Sequence, residues 1–176
     1  MNQRQIIVAA YDSAWPDAFR RAADELETLP GPIFLEIHHI GSTAIPGMHA
    51  KPIIDILAVV HVIDALDERS AQMESLGYEV MGEFGIPGRR YFRRNNPDGI
   101  RTHQIHAFRA GSPHIRRHLA FRDFLRSHPV EAAQYATLKQ EVAKAHPNDI
   151  EAYMDGKDGF IKEIQRRAIE WTDSQR

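Results

Sequence analysis

The sequence predicts an α/β (α+β) protein: a mixed sheet with helices packed on one face, followed by an all-helical C-terminal portion. Three observations carry that prediction. The nearly continuous apolar stretch Ile53-Ile54-Asp55-Ile56-Leu57-Ala58-Val59-Val60 has the length and character of a central strand. Apolar residues at Ile63, Leu66, Met73 and Leu76 return at helical spacing and end on Gly77. Beyond Ser112-Pro113, the breaks His128-Pro129 and His146-Pro147-Asn148 divide the chain into three long helical segments.

From the N-terminus, Ile6-Ile7-Val8 and Tyr11 form a short apolar arm. Asp12-Ser13 and Pro16 supply helix-start chemistry for a helix running to about Thr28, which Leu29-Pro30-Gly31-Pro32 stops. Residues 33–40 read as a strand with His38 and His39 near its exit. Gly41-Ser42 follows, and Pro46 and Gly47 leave room for only a turn or two of helix before the second strand at 52–60. Next come the helix over 63–76, a short strand at 78–80 and a loop holding Gly82, Gly85, Pro87 and Gly88. Strands at about 90–94 and 101–109 flank Asn95-Asn96-Pro97-Asp98-Gly99, whose turn formers make the pair a hairpin. Helices at roughly 113–127, 129–145 and 149–171 complete the chain. One domain is expected, with the mixed sheet core over about 1–111 and the helices over about 112–176.

With 176 residues and 43% hydrophobic content, the chain is long enough to bury one substantial core. No stretch approaches the roughly 20 consecutive apolar residues of a membrane span, and Met1-Asn2-Gln3-Arg4 is not followed by a long apolar signal core. A cytoplasmic protein without a membrane partner is expected. The absence of cysteine leaves oxygen and imidazole as the ligands for any metal. A net charge of −2 gives no bulk drive toward nucleic acid. Arg116, Arg117, Arg122 and Arg126 spread around their helix with Asp123 among them, which fits a salt-bridged surface better than a nucleic-acid patch.

Asp55 is the residue that most needs an explanation. An ionised carboxylate in a buried apolar strand is costly unless a cation or hydrogen-bond donors compensate it, so a metal or a ligand is expected beside it. Just upstream, Gly41, Ser42 and Thr43 open a helical turn whose backbone N–H groups and hydroxyls suit phosphate oxygens. The same residues suit a plain helix cap, and Asp55 downstream tips the reading toward anion binding. Lys51 stands at the strand entrance either as a phosphate-neutralising charge or as a solvated side chain. Arg93 and Arg94 alternate on their strand, so one faces the cleft; Arg93 is the expected one, although a solvated face is the commoner fate of such arginines.

His106 is expected on a strand beside that of Asp55, with Gln104 on the same face. It either joins Asp55 in holding a divalent metal, with Glu36 or His38 as a further ligand, or only hydrogen-bonds the carboxylate. His118 and Arg122, an i,i+4 pair, face the same cleft if the helices cap the sheet, as do Lys139, Tyr153 and Lys157. The other aromatic positions of those helices, Phe121, Phe124, Tyr135 and Phe160 among them, read as packing.

Four segments together resemble the GrpB family, within the nucleotidyltransferase superfamily of the DNA polymerase beta type. They are His39-Ile40-Gly41-Ser42-Thr43-Ala44-Ile45-Pro46-Gly47, Lys51-Pro52-Ile53-Ile54-Asp55-Ile56, Thr102-His103-Gln104-Ile105-His106 and Arg117-His118-Leu119-Ala120-Phe121-Arg122-Asp123. The resemblance runs from about Tyr11 to Ile161 and implies a nucleotidyltransferase-like fold, with relatives fused to dephospho-CoA kinase. It also implies a mechanism. Two carboxylates one residue apart on a strand, with a third from a neighbouring strand, hold divalent ions that clamp a nucleoside triphosphate for in-line displacement. Asp55 matches the first position, but Leu57 stands at the second. A two-magnesium site is then one carboxylate short, and Asp55 with His106 would favour zinc or manganese over magnesium.

Three functions remain as alternatives. One is a nucleotidyltransferase-like protein that binds a nucleotide or phosphorylated metabolite and transfers a nucleotidyl group with a divalent metal. In it, Asp55 and His106 carry the chemistry while Gly41, Ser42, Thr43, Lys51 and Arg93 bind the substrate. The second is a nucleotide- or phosphate-binding module without catalysis. The third is a metal-dependent phosphoester hydrolase.

Overall fold

The computed structural model of the chain describes residues 5–176. Its strands are β1 (Phe34–Ile40), β2 (Ile54–Val60), β3 (Glu79–Val80), β4 (Arg90–Asn95) and β5 (Arg101–Arg109), joined in one sheet of order β1-β2-β5-β4-β3. β2 runs parallel to β5 and antiparallel to β1, while β4 is antiparallel to both β5 and β3, so the sheet is mixed. Packing on both faces of β2 explains its composition. Six of its seven residues are buried, and the partly open one is Asp55.

Helices cover both faces. On one, Ile54, Ile56, Ala58 and Val60 of β2 pack against Trp15, Ala22 and Leu26 of α1 (Trp15–Glu27), with Leu66 and Met73 alongside. Pro16 sits in the first turn of α1, where a missing N–H costs nothing. The helix expected over 63–76 forms as two pieces, α2 (Asp64–Asp67) and α3 (Ser70–Ser75). The break has a local cause. Ser70 Oγ donates to the Asp67 carbonyl at 2.8 Å, competing for a backbone acceptor, and Arg69 reaches away to the Pro30 carbonyl at 3.2 Å.

On the opposite face, Leu57 and Val59 join Ile40 and Phe108, and Ile115 and Leu119 of α4 (Pro113–Ser127) pack on them. α5 (Pro129–Ala145) and α6 (Ile150–Ser174) build a further core with α4 around Phe124, Leu125, Tyr135 and Ile164, into which Ile45 and Met48 reach from the β1–β2 connection. Ser112 caps α4 by accepting from the His114 N–H, and Asp149 caps α6 by accepting from the Ala152 N–H. Gly156 lets α6 come close to α5, since a Cβ there would lie 2.7 Å from Val142 Cγ1. The N-terminal arm laces these parts together: Ala9 pairs with Ala50, and the Ile6 N–H donates to the Pro147 carbonyl at 2.7 Å. Among the described residues, no helix is long and apolar enough to cross a membrane.

Candidate functional site

β1 ends on Ile40, which lies opposite Asp55 in the ladder, and the chain turns at once through Gly41. Gly41 has φ 72 and ψ −173, a conformation that essentially only glycine adopts. A Cβ at this position would lie 2.6 Å from Asp55 Oδ2, so the missing side chain is also what makes room for the carboxylate. Ser42–Ala44 follow as one 3-10 turn. Turn and carboxylate are therefore in contact. The Asp55 side chain is 26% exposed, so it opens into the cleft and escapes the full desolvation its apolar strand implies.

Thr43 also lines the cleft, but it is only 2% exposed and its hydroxyl is already engaged. Its hydroxyl donates to the Ile53 carbonyl at 3.1 Å and lies 2.9 Å from His39 Nε2. Burial pushes His39 down to about 4, so its ring is neutral and its Nε2–H donates to Thr43. The Thr43 hydroxyl thus ties the turn to the entry of β2. Ser42 also lines the cleft, as does Tyr135.

Facing the turn, three ammonium groups converge on one cleft of about 320 Å³. Lys51 lies 5.4 Å from the Tyr153 ring centre and Lys157 lies 4.1 Å from it. Lys139 lies 4.5 Å from the Tyr135 ring and donates to the His49 carbonyl at 2.5 Å. Lys139 and Lys157 are only 2% and 6% exposed. Among the described residues the lysine in a salt bridge is a different one, Lys162, paired with Asp158 outside the cleft. Burial lowers Lys51, pushes Lys139 down to about 7 and pushes Lys157 down to about 8. Repulsion from Lys157 adds to the effect at Lys139, and repulsion from Lys51 adds to it at Lys157, while Asp55 opposes it at Lys51 and Lys157. Arg117 of α4, also lowered by burial, lines the same cleft.

Of the helical residues expected there if the bundle capped the sheet, His118, Lys139, Tyr153 and Lys157 line the cleft. Arg122 does not; it bonds Asp123 at 2.7 Å and the His39 carbonyl at 3.2 Å. Phe121 and Tyr135, which read as packing, both pack and line the cleft. A usable signal does exist in the sequence. Tyr135 and Lys139, like Tyr153 and Lys157, are i,i+4 pairs that set a lysine on an otherwise buried helical face. The remaining arginines of α4 follow the surface reading, with Arg116 paired to Asp173 and Arg126 bonded to the Ala44 carbonyl.

β5 places Gln104 opposite Asp55 and His106 opposite Leu57. His106 Nε2 lies 3.5 Å from Asp55 Oδ1, long for a hydrogen bond. Leu57 is fully buried against Ile40, Val59 and Phe108, worth about 1.5–3 kcal/mol of burial, so the position of the second carboxylate is sealed by packing. Glu36 and His38, expected as further ligands, bond each other at 2.6 Å and do not line the cleft. Among the described residues, no three His, Cys, Asp or Glu side chains come together as a metal would need. Asp55 and His106 alone do not make the closed four-ligand cage of a structural zinc site, whereas magnesium, which keeps several waters and takes substrate phosphates as ligands, asks for fewer protein donors.

Arg93 is on the cleft side of the sheet through its pairing with Gln104, yet it lies outside the cleft. Glu79, its cross-strand partner on β3, holds the guanidinium at 2.5 and 2.8 Å. Arg94, on the other face, bonds Glu25 at 2.6 Å.

A family model described as GrpB protein matches residues 5–167. The chain belongs to the GrpB family. The crystal structure of the conserved protein GrpB from Enterococcus faecalis superposes with a TM-score of 0.90 at 44% identity, over 94% of this chain and 99% of that one. UPF0157 protein YqkA of Bacillus subtilis (strain 168) is 44% identical over 169 residues, 96% of this GrpB chain and 49% of YqkA. The chain thus spans about half the length of that relative. A dephospho-CoA kinase of Mycolicibacterium paratuberculosis is 29% identical over 186 residues, covering 93% of this chain and 46% of the kinase, in keeping with the expected fusion.

Proposed function

We propose that this GrpB chain is a nucleotidyltransferase-like protein that binds a nucleotide or another phosphorylated metabolite through its polyphosphate. One observation carries the reading: Lys51, Lys139 and Lys157, free of any salt bridge among the described residues, converge on the cleft that also holds the Gly41-Ser42 turn and Asp55. Gathering three ammonium groups in a partly buried space costs both desolvation and repulsion, which their lowered proton affinities record. The tyrosine rings beneath them offset part of that cost. A ligand with three or four negative charges offsets the rest. The Ser42 turn offers backbone N–H groups to the same oxygens, and Phe121, Met154 and Ile161 supply an apolar wall. A volume of about 320 Å³ lies at the small end of ligand sites and suits a nucleotide-sized molecule.

Nucleotidyl transfer is a second reading, favoured by the contact between Asp55 and the turn. In it an acceptor hydroxyl gives its proton to Asp55 and attacks the α-phosphorus, and the bond to pyrophosphate breaks while the lysines hold the departing charge. Water as acceptor turns the same step into hydrolysis.

Calorimetric titration of ATP and of tripolyphosphate, in chelator, into wild type, Lys139→Met and Lys157→Met tests the binding reading. The expected result is binding without divalent metal and a loss of about tenfold or more in each variant. No binding, or equal binding by all three proteins, refutes it. Pyrophosphate release in the presence of magnesium, manganese or zinc then separates transfer from binding alone.

A further inference from the structure

Arg89, just before β4, is 7% exposed and its guanidinium is held on three sides. Nε donates to the Glu83 carbonyl at 3.2 Å, Nη2 donates to the Phe84 carbonyl at 2.8 Å, and Nη1 approaches His106 Nδ1 at 3.3 Å. A guanidinium has five N–H donors and no acceptor. The imidazole nitrogen that faces it must therefore be the acceptor. In a neutral imidazole the other nitrogen then carries the proton, so the Nε2–H of His106 points toward Asp55 Oδ1. Tyr91 and His118 flank the ring, each with its centroid 5.5 Å away, which limits its rotation.

A histidine that binds a metal through Nε2 needs the reverse arrangement, with Nε2 bare and Nδ1–H donating to a carbonyl or a carboxylate. Here the place of that acceptor is taken by Arg89. We propose that Arg89 is a positioning residue that locks His106 in the Nε2–H tautomer, making His106 a hydrogen-bond donor to Asp55 and not a metal ligand. This goes beyond the polyphosphate reading and stands without it. With Oδ1 turned to His106, Asp55 keeps Oδ2 against Gly41, where it can accept a hydrogen bond from a hydroxyl of the bound ligand.

Long-range proton–nitrogen correlation spectra of the chain with labelled histidine, near neutral pH, read the tautomer directly, and His106→Gln assigns the signal. The expected spectrum shows His106 protonated at Nε2 and bare at Nδ1. Protonation at Nδ1 in the wild type overturns the proposal, and that measurement needs no Arg89 variant to fold. Folded Arg89→Met is expected to shift His106 toward a mixture of tautomers; an unchanged spectrum overturns the role of Arg89. In zinc titrations, wild type and His106→Gln are expected to bind equally weakly. A loss of about tenfold or more in His106→Gln, the size of effect a true ligand sphere shows, overturns the proposal as well.

Discussion

Gly41→Ala is expected to cost about 2–6 kcal/mol of folding stability, a figure with two parts. The backbone at φ 72 and ψ −173 is essentially closed to other residues and carries about 1–3 kcal/mol when one is forced into it. The second part is contact. The new Cβ would lie 2.6 Å from Asp55 Oδ2, 3.1 Å from its Cβ and 3.2 Å from its Cγ. Asp55 is held in β2 between β1 and β5 and cannot withdraw without moving the sheet, so overpacking adds about 1–3 kcal/mol. Gly47→Ala is the matched control. Gly47 also has a positive φ, of 78, but nothing lies within 4 Å of a Cβ there, leaving only a backbone cost of about 1–2 kcal/mol. Urea unfolding of the three proteins gives the differences at constant m. Gly41→Ala should exceed Gly47→Ala by about 1 kcal/mol or more; equal losses refute the packing of the turn on Asp55.

Other predictions concern charge. Lys139→Met and Lys157→Met replace buried ammonium groups that have no salt bridge among the described residues by apolar side chains, so the unliganded variants should melt at or above the wild-type temperature; a clear drop would mean that the ammonium groups stabilise the fold. Because both lysines titrate below the usual lysine range when folded, the unfolded chain binds more protons between about pH 7 and 9.5, and stability should rise with pH across that window. The slope is at most about 1.4 kcal/mol per unit for each lysine, and a flat or falling melting temperature would contradict it. Asp55→Asn should tighten tripolyphosphate binding in chelator, because it removes a negative charge beside the anion; weaker binding would contradict direct contact between the lysines and the phosphates.

Much of the fold is legible for identifiable reasons. β2 announces itself by an apolar run of the kind a strand covered on both faces needs. α4 and α5 begin on Pro113 and Pro129, where the missing N–H is harmless, and they end just before Pro129 and Pro147. The helix over 63–76 breaks where the Ser70 hydroxyl takes the Asp67 carbonyl, a local bond, and Arg69 turns to the Pro30 carbonyl, a tertiary contact that the local sequence does not announce. The meeting of Asp55 and the Gly-Ser turn follows from an antiparallel β1 that delivers the turn to the start of β2. Arg93 shows the limit of face parity. Strand alternation puts it on the cleft side, but it cannot reveal that Glu79 lies opposite and takes the guanidinium. Lys139 and Lys157 reach the cleft from sequence only on the condition that the helices cap the sheet, and that packing depends on Gly156 letting α6 approach α5. Arg89 acts through the carbonyls of Glu83 and Phe84, so its effect on His106 depends on a loop conformation with no sequence signature.

The most direct test is a crystal structure of the chain with a non-hydrolysable nucleoside triphosphate, grown with a divalent metal present. The expected density places the phosphates against the Ser42 turn, within hydrogen-bond reach of the ammonium groups of Lys139 and Lys157. Phosphates bound elsewhere, or held to the protein only through a metal bridging Asp55 and His106 Nε2, would contradict the account.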